Sequence, residues 1–166
     1  MKNILLIGCG HMGGSLMSGW SKSKNYTISV IDKKKYSILK KRNRNKKIKF
    51  FKSIDDIDNQ NNLDYIIFAT RPLELTSVFK ELKNANFNKK SIAISVIAGK
   101  KTEIFKKNLL NISKIVRVMP NMPALIGEGV HCIYTNKSIN KKEIKEIDKL
   151  FSLSGKTLFF NSETFI

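Results

Sequence analysis

Cysteine and histidine are scarce in this sequence, whose 166 residues include two of each. Cys9 and Cys132 are too few for a disulfide framework and lack the spacing of metal ligands. We therefore predict two reduced, structural thiols and no metal site. Of the two histidines, His131 falls in a predicted strand, where we expect a packed or surface ring rather than a catalytic group.

Long apolar runs are also missing. No run approaches the roughly 20 apolar residues that a membrane-spanning helix needs, so we expect no membrane partner. The apolar stretch at the amino terminus leads directly into Gly8 without a small-residue cleavage site, which indicates a strand rather than a secretory signal. The default expectation is a cytoplasmic location.

Acidic residues are the third scarce class, with 13 Asp and Glu against 31 Lys and Arg and a net charge of +18. Such a charge raises nucleic acid as a partner. Lysine is common along the whole chain, however, and the densest basic segment, residues 33–49, contains a single aromatic residue, Tyr36. Because stacking recognition needs interleaved aromatics, we expect no nucleic-acid partner. Two interpretations of this basic segment stay open: a solvated face, or an anion site at one end of it.

Short apolar runs alternate with amphipathic stretches from end to end, which is typical of strands and crossover helices. The length suits one domain. We predict an α/β fold of the Rossmann type: a doubly wound, mostly parallel sheet with flanking helices, forming one NAD(P)-binding domain over residues 1–166. The predicted strands cover residues 4–7, 26–31, 48–51, 63–69, 91–98, 115–119, 129–135 and 157–160, and the predicted helices cover residues 12–22, part of 33–49, 72–82, 102–110 and 140–151.

Residues 8–13, here called the glycine loop, read Gly-Cys-Gly-His-Met-Gly and match G-x-G-x-x-G directly after the first predicted strand. In this pattern the first glycine makes the turn, the second lets backbone approach a pyrophosphate, and the third lets helix and strand pack closely. The helix amides then face the phosphates. The context predicts a dinucleotide cradle, with a bare turn as the alternative. His11 points either to the phosphates or to solvent.

Asp32 ends the second predicted strand, 19 residues after Gly13, where an acidic residue bonds the ribose hydroxyls. A carboxylate there repels a 2′-phosphate and favours NAD(H). Lys33, Lys34 and Lys35 follow directly and would attract the same phosphate. Because the lysines outnumber the acid, NADP(H) is the favoured cofactor and NAD(H) remains possible.

Four segments, in this order, resemble the pyrroline-5-carboxylate reductase family: IGCGHMGGSL, FATRP, SVIAG and VRVMPNMPALIGEG. The last, residues 116–129, is the longest and most specific. The resemblance runs through the whole chain. It implies an oxidoreductase of proline biosynthesis that transfers hydride from NAD(P)H to the C=N bond of the small molecule pyrroline-5-carboxylate, and that works as a homo-oligomer.

The same resemblance assigns positions to individual residues, without assigning a catalytic one. The implied cofactor-binding residues are Gly8, Gly10, His11, Met12, Gly13, Asp32, Lys33, Lys34, Thr70, Arg71, Pro72, Ala98 and Gly99, and the implied substrate-side loop contains Asn121, Pro123 and Ala124. Two simpler interpretations stay open: Arg71 as a charged helix start, and Asn121 as a turn residue.

Three departures from the family pattern bear on function. Arg71 stands where the family has lysine, which keeps the charge but changes the hydrogen-bond geometry. Met122 stands where the family has threonine, so a hydroxyl is lost. The family's helical C-terminal domain, which makes the dimer and holds the substrate, is expected to be missing here.

Two alternatives to the reductase function stay open. One is a dinucleotide-binding module without turnover. The other is a related dehydrogenase of the prephenate type, which GGSL after the glycine motif suggests.

Overall fold

The computed structural model describes the backbone of residues 1–166 and every side chain except those of Met122 and Leu125. The strands are β1 (Lys2–Ile7), β2 (Tyr26–Ile31), β3 (Ile48–Phe51), β4 (Tyr65–Phe68), β5 (Ile92–Ser95), β6 (Lys114–Pro120), β7 (Gly129–Thr135) and β8 (Gly155–Phe160). The helices are α1 (His11–Ser21), α2 (Tyr36–Arg42), α3 (Leu75–Glu81), α4 (Thr102–Asn108) and α5 (Lys141–Phe151). Short 3-10 segments lie at Ile54–Asp56, Gln60–Asn62, Met122–Ile126 and Glu163–Phe165.

The strands form one sheet in the order β3-β2-β1-β4-β5-β6-β7-β8. Neighbouring strands run parallel, except that β6 and β7 are antiparallel. The first six strands in this row have the order 3-2-1-4-5-6 of doubly wound dinucleotide-binding folds, so the predicted fold is confirmed. The order reverses between β1 and β4, and ligands of such sheets bind beyond the carboxyl ends of the strands at that reversal.

One face of the sheet is covered by α1 and α5. Ile4 and Leu6 of β1 point to this face, where the fully buried side chains of Leu16 and Trp20 pack against them. The Trp20 indole donates a hydrogen bond to the Leu150 carbonyl oxygen of α5 at 3.1 Å. This packed face fixes α1 behind the glycine loop.

The other face of the sheet is covered by α3 and α4. Phe79 of α3 and Phe105 of α4 pack on Phe68 of β4, with ring centroids 5.1 to 6.0 Å apart in edge or tilted arrangements. Leu75 and Leu82 are also buried, as their helical spacing predicts. This packing holds α3 beside the carboxyl ends of β1 and β4.

Several boundaries differ from the predicted ones. The prediction that Pro72 starts a helix is wrong, because residues 72–74 form a turn and α3 begins at Leu75. Within the basic segment only Tyr36–Arg42 is helical. The start of α5 is confirmed, since Asn140 and Glu143 form a reciprocal capping box. Among the described residues, no helix combines the length and apolar character that a membrane crossing requires.

Candidate functional site

The glycine loop lies at the carboxyl end of β1, and its first glycine is required by backbone geometry. Gly8 has a φ of +93°, and its N–H donates to the Ile31 carbonyl oxygen of β2 at 2.8 Å. A Cβ on Gly8 would lie 2.7 Å from the Ala69 carbonyl oxygen. The loop therefore turns sharply between β2 and the segment that follows β4.

The other two glycines of the motif have opposite surroundings. A Cβ on Gly13 would lie 2.3 Å from the Gly8 carbonyl oxygen, so α1 packs on the loop at a distance that excludes any side chain. A Cβ on Gly10 would meet no atom of the described residues within 4 Å. Gly10 is also the N-cap of α1 and offers no side chain to the amides of the first turn. Open space thus lies in front of a helix amino terminus.

The Asp32 carboxylate turns towards the glycine loop. One oxygen accepts a hydrogen bond from the Cys9 N–H at 2.8 Å, and the other accepts from the Lys35 N–H at 3.0 Å. The Lys35 ammonium donates to the Cys9 carbonyl oxygen at 3.1 Å. These contacts tie the loop to the start of the segment after β2. The carboxylate that sequence reasoning assigned to a ribose is already engaged in holding the loop.

Two lysines after Asp32 pair with carboxylates of the turn and helix after β4. Lys33 Nζ lies 2.7 Å from Glu81 Oε1, and Lys34 Nζ lies 2.6 Å from Glu74 Oε1. The lysine side chains are 59% and 76% exposed. Ion pairs this exposed contribute at most about 1 kcal/mol each, so a ligand can replace them.

Two adjoining cavities run along these residues, and we call them together the glycine-loop groove. They measure about 310 and 330 Å³. Both touch Gly8, Asp32, Lys34, Thr70 and Glu74; the first is also lined by Ile7, Ile31, Lys33, Ser77, Val78 and Glu81, and the second by Gly10, His11, Met12, Lys35, Ala69 and Arg71. A larger cavity of about 430 Å³ lies between α3 and α4, away from the glycine loop and the strand-order reversal, so the groove is the better candidate.

Thr70 supplies a polar atom that the described part of the protein leaves without a partner. Its Oγ1 is buried and makes no hydrogen bond among the described residues. Because buried hydroxyls are normally satisfied, this oxygen is available to a ligand of the groove. Arg71, next along the chain, is exposed and borders the same groove, and its backbone N–H donates to Glu74 Oε2 at 3.4 Å.

Other residues assigned by the resemblance lie outside the lining of the groove. Pro72 is in the turn before α3, and Ala98 and Gly99 form an exposed turn after β5 at the same edge of the sheet. Asn121 Oδ1 accepts from the Val130 N–H at 2.9 Å, which is the turn chemistry that sequence reasoning left open. In the same loop Pro123 is exposed and Ala124 is buried, while the Met122 side chain lies outside the described residues.

Sequence reasoning missed the wall of the groove that comes from α3 and the residue before it. Glu74, Ser77, Val78 and Glu81 line this wall. They are spaced i, i+3, i+4 and i+7, which places them on one side of a helix. The spacing is visible in the sequence. This polar pattern is overlooked because an apolar helix face, which begins at Leu75 and has the same spacing, overlaps it in the sequence.

His131 is a buried ring of the sheet and takes no part in the groove. Its side chain is 0% exposed, and its Nε2 lies 2.9 Å from the Ser154 hydroxyl. That hydroxyl donates to the Phe151 carbonyl oxygen, so the histidine donates to Ser154. Burial lowers the pKa of the His131 imidazole below its ordinary value. Burial therefore favours the neutral form of the ring in the folded protein.

This burial predicts a pH-dependent stability. The unfolded chain takes up the proton first as the pH falls below about 6.5, so the free energy of unfolding should fall there with a slope of up to about 1.4 kcal/mol per pH unit. Urea unfolding between pH 7.5 and 5.5 measures the slope. His131→Gln should reduce the slope. A slope equal to that of the wild-type protein would contradict the assignment.

Comparison with known proteins supports the sequence resemblance. Pyrroline-5-carboxylate reductase of Haemophilus influenzae is 30% identical over 169 residues, covering 98% of this chain and 59% of the relative. Among solved structures, a pyrroline-5-carboxylate reductase from Coxiella burnetii superposes with a TM-score of 0.83 at 24% identity, covering 98% of this chain and 60% of that one. The pyrroline carboxylate reductase of Plasmodium falciparum with NADP bound superposes with a TM-score of 0.75 at 22% identity, covering 96% and 58%. The predicted resemblance is confirmed, and the chain spans somewhat over half the length of these relatives.

A family model described as NADP oxidoreductase, coenzyme F420-dependent, matches residues 3–99. That range begins in β1 and ends in the turn after β5, so it contains the glycine loop, Asp32 and the whole groove. The match covers more than half of the sequence and includes every element that shapes the site. The chain therefore belongs to the family of NADP oxidoreductases described as coenzyme F420-dependent.

Proposed function

We propose that this chain binds NADP(H) and forms the cofactor-binding half of a pyrroline-5-carboxylate reductase. One observation carries the proposal: the open space at Gly10, directly in front of the amino terminus of α1, at the point where the strand order reverses. Oriented amides and a helix dipole at such a point favour a pyrophosphate. The reductase names of the relatives supply the substrate class, pyrroline-5-carboxylate.

The residues of the groove fit the parts of a dinucleotide. The first-turn amides of α1 would hold the pyrophosphate, with Gly10 leaving room for it. Thr70 Oγ1, buried and unpartnered among the described residues, would bond the ligand on the β4 side. Lys33 and Lys34 would face the adenosine ribose, because they follow the end of β2.

The geometry supports NADP(H) over NAD(H). Both oxygens of the Asp32 carboxylate accept backbone N–H groups, so its charge is partly neutralised within the loop. A carboxylate held in this way repels a 2′-phosphate less than a free one. The exposed lysine ammonium groups beside it are donors that suit phosphate. NAD(H) remains the second candidate, because the carboxylate still has unused lone pairs.

For the reaction, the bound cofactor would supply a hydride to the C=N carbon of the substrate. This chain's part is to hold the cofactor in register and to shield one side of it. The loop of residues 121–128 follows β6 at the same edge of the sheet and would lie along the substrate side. A homo-oligomeric assembly and a cytoplasmic location belong to the same proposal, and the two free thiols, Cys9 and Cys132, suit a reducing compartment.

Calorimetric titration of the purified chain with NADPH and NADH at near-physiological salt tests the proposal. We expect one site with tighter binding of NADPH. If the chain binds neither NADPH nor NADH, the result contradicts the proposal. Oxidation of NADPH by pyrroline-5-carboxylate, followed at high protein concentration, tests turnover separately. Saturable binding without turnover would support a dinucleotide-binding module instead.

The lysines give a sharper test of cofactor preference. Lys33→Ala combined with Lys34→Ala should weaken NADPH binding about tenfold or more, because the phosphate loses at least one charged hydrogen bond that contributes about 1.5 kcal/mol. NADH, which has no 2′-phosphate, should lose less than threefold. Lys106→Ala combined with Lys107→Ala, on α4, removes the same charge away from the groove and serves as the control. Equal losses for both nucleotides would leave the lysines as a solvated face.

A further inference from the structure

The carboxylates opposite the lysines have no place in the dinucleotide motif, yet they border the same groove. We propose that Glu74 and Glu81 are internal competitors for Lys34 and Lys33, and that they weaken binding of the 2′-phosphate and so set the preference between NADP(H) and NAD(H). This inference rests on the proposed function. It assigns a role in cofactor specificity to Glu74 and Glu81, which lie outside both the glycine loop and the end of β2.

The arrangement of charges carries the inference. Lys34 and Glu74 are 40 residues apart in sequence, and Lys33 and Glu81 are 48 apart, yet each pair meets across the groove at 2.6 and 2.7 Å. The two glutamates are seven residues apart, which is two helical turns, so they present their carboxylates on one wall. Each lysine thus has an acidic partner that belongs to the opposite wall.

These pairs can be exchanged for a ligand. All four side chains are more than a third exposed, so the pairs are screened by water and individually weak. A hydrogen bond from Lys34 lowers the pKa of the Glu74 carboxyl, which keeps that group ionised. An incoming 2′-phosphate must therefore compete with a carboxylate for each lysine that it binds and then remain near two negative charges.

The two cofactors meet this obstacle differently. NADPH and NADH differ only in the phosphate on the adenosine ribose. NADPH has to compete with the carboxylates for the lysines, whereas NADH can bind with both pairs undisturbed. The glutamates consequently reduce the advantage that the lysines give to NADPH. Asp32 alone would favour NAD(H), and the lysines alone would favour NADP(H). The glutamates give the groove a preference between these two cases.

The test uses Glu74→Gln, Glu81→Gln and the double variant, because glutamine keeps the shape of the side chain and removes its charge. Dissociation constants for NADPH and NADH are measured by calorimetry in each. We expect each substitution to tighten NADPH binding about two- to fivefold, and the double variant about tenfold, in line with the strength of exposed charge pairs. NADH binding should change less than twofold.

Glu103→Gln is the matched control. Glu103 pairs with Lys107 at 2.9 Å on α4, both side chains are about as exposed as the groove lysines, and neither borders the groove. This variant changes the net charge equally and should leave both affinities unchanged. If it tightens NADPH binding as much as Glu74→Gln does, the effect is one of net charge and the inference is overturned.

The remaining outcomes separate the inference from the proposed function. If wild-type protein binds NADPH and the double variant binds it equally or more weakly, the inference fails while the proposed function stands. Weaker binding would mean that the glutamates position the lysines for the phosphate. If the wild-type protein binds neither nucleotide, the proposed function fails, and the inference that rests on it fails as well.

Discussion

Replacing Gly10 by valine is expected to weaken NADPH binding about 100-fold while leaving the protein folded. Within the described part of the chain, a Cβ at this position would meet no atom within 4 Å, and the backbone φ of −71° is one that valine can adopt. The added methyl groups would instead occupy the space in front of the α1 amides. Losing two charge-assisted hydrogen bonds to the pyrophosphate, at about 1.5 kcal/mol each, weakens binding about 100-fold.

Two measurements separate this effect from misfolding. Urea unfolding of Gly10→Val should give a free energy of unfolding within about 1 kcal/mol of wild type, as for surface changes that create no clash. Calorimetry should show the loss of binding of both NADPH and NADH, because both cofactors contain the pyrophosphate. A folded variant with unchanged affinity would contradict the cradle and support a bare turn.

The parts of this fold that could be predicted from the sequence depend on short-range patterns. The apolar run before Gly8, the glycine spacing and the helical face of Leu16 and Trp20 involve residues within one or two turns of each other. Local sterics and burial determine such patterns, so they survive into the structure. The start of α3 was misplaced because Pro72 suits both a first helical position and the turn that it occupies.

The features that could not be predicted depend on contacts between distant segments. The Asp32 carboxylate turns to the Cys9 N–H, which is 23 residues away, rather than outwards. The pair between Lys34 and Glu74 forms only because β1 lies between β2 and β4 in the sheet. No local pattern specifies which lysine of a basic segment meets which acid. That information appears only once the strand order is known.

Replacing Gly13 by alanine is expected to destabilise the fold, in contrast to Gly10→Val. The new Cβ would lie 2.3 Å from the Gly8 carbonyl oxygen, so α1 would have to move away from the end of β1. Overpacking of this kind costs typically up to about 3 kcal/mol, and backbone cannot yield as a flexible side chain does. The better helix propensity of alanine returns about 1 kcal/mol. The clash is the larger effect, and we expect a net loss of up to about 2 kcal/mol.

The neighbouring residue provides the control for that loss. A Cβ on Gly14 would have Cys9 Sγ as its nearest neighbour, at 3.9 Å, which is an ordinary contact. Gly14→Ala therefore gains helix propensity without a clash and should raise the free energy of unfolding by up to about 1 kcal/mol. Opposite signs for two adjacent glycine-to-alanine changes cannot come from propensity, since both lie in α1. If Gly13→Ala and Gly14→Ala change the free energy of unfolding equally, α1 does not pack closely on the glycine loop. The α1 amides would then not be held facing the groove.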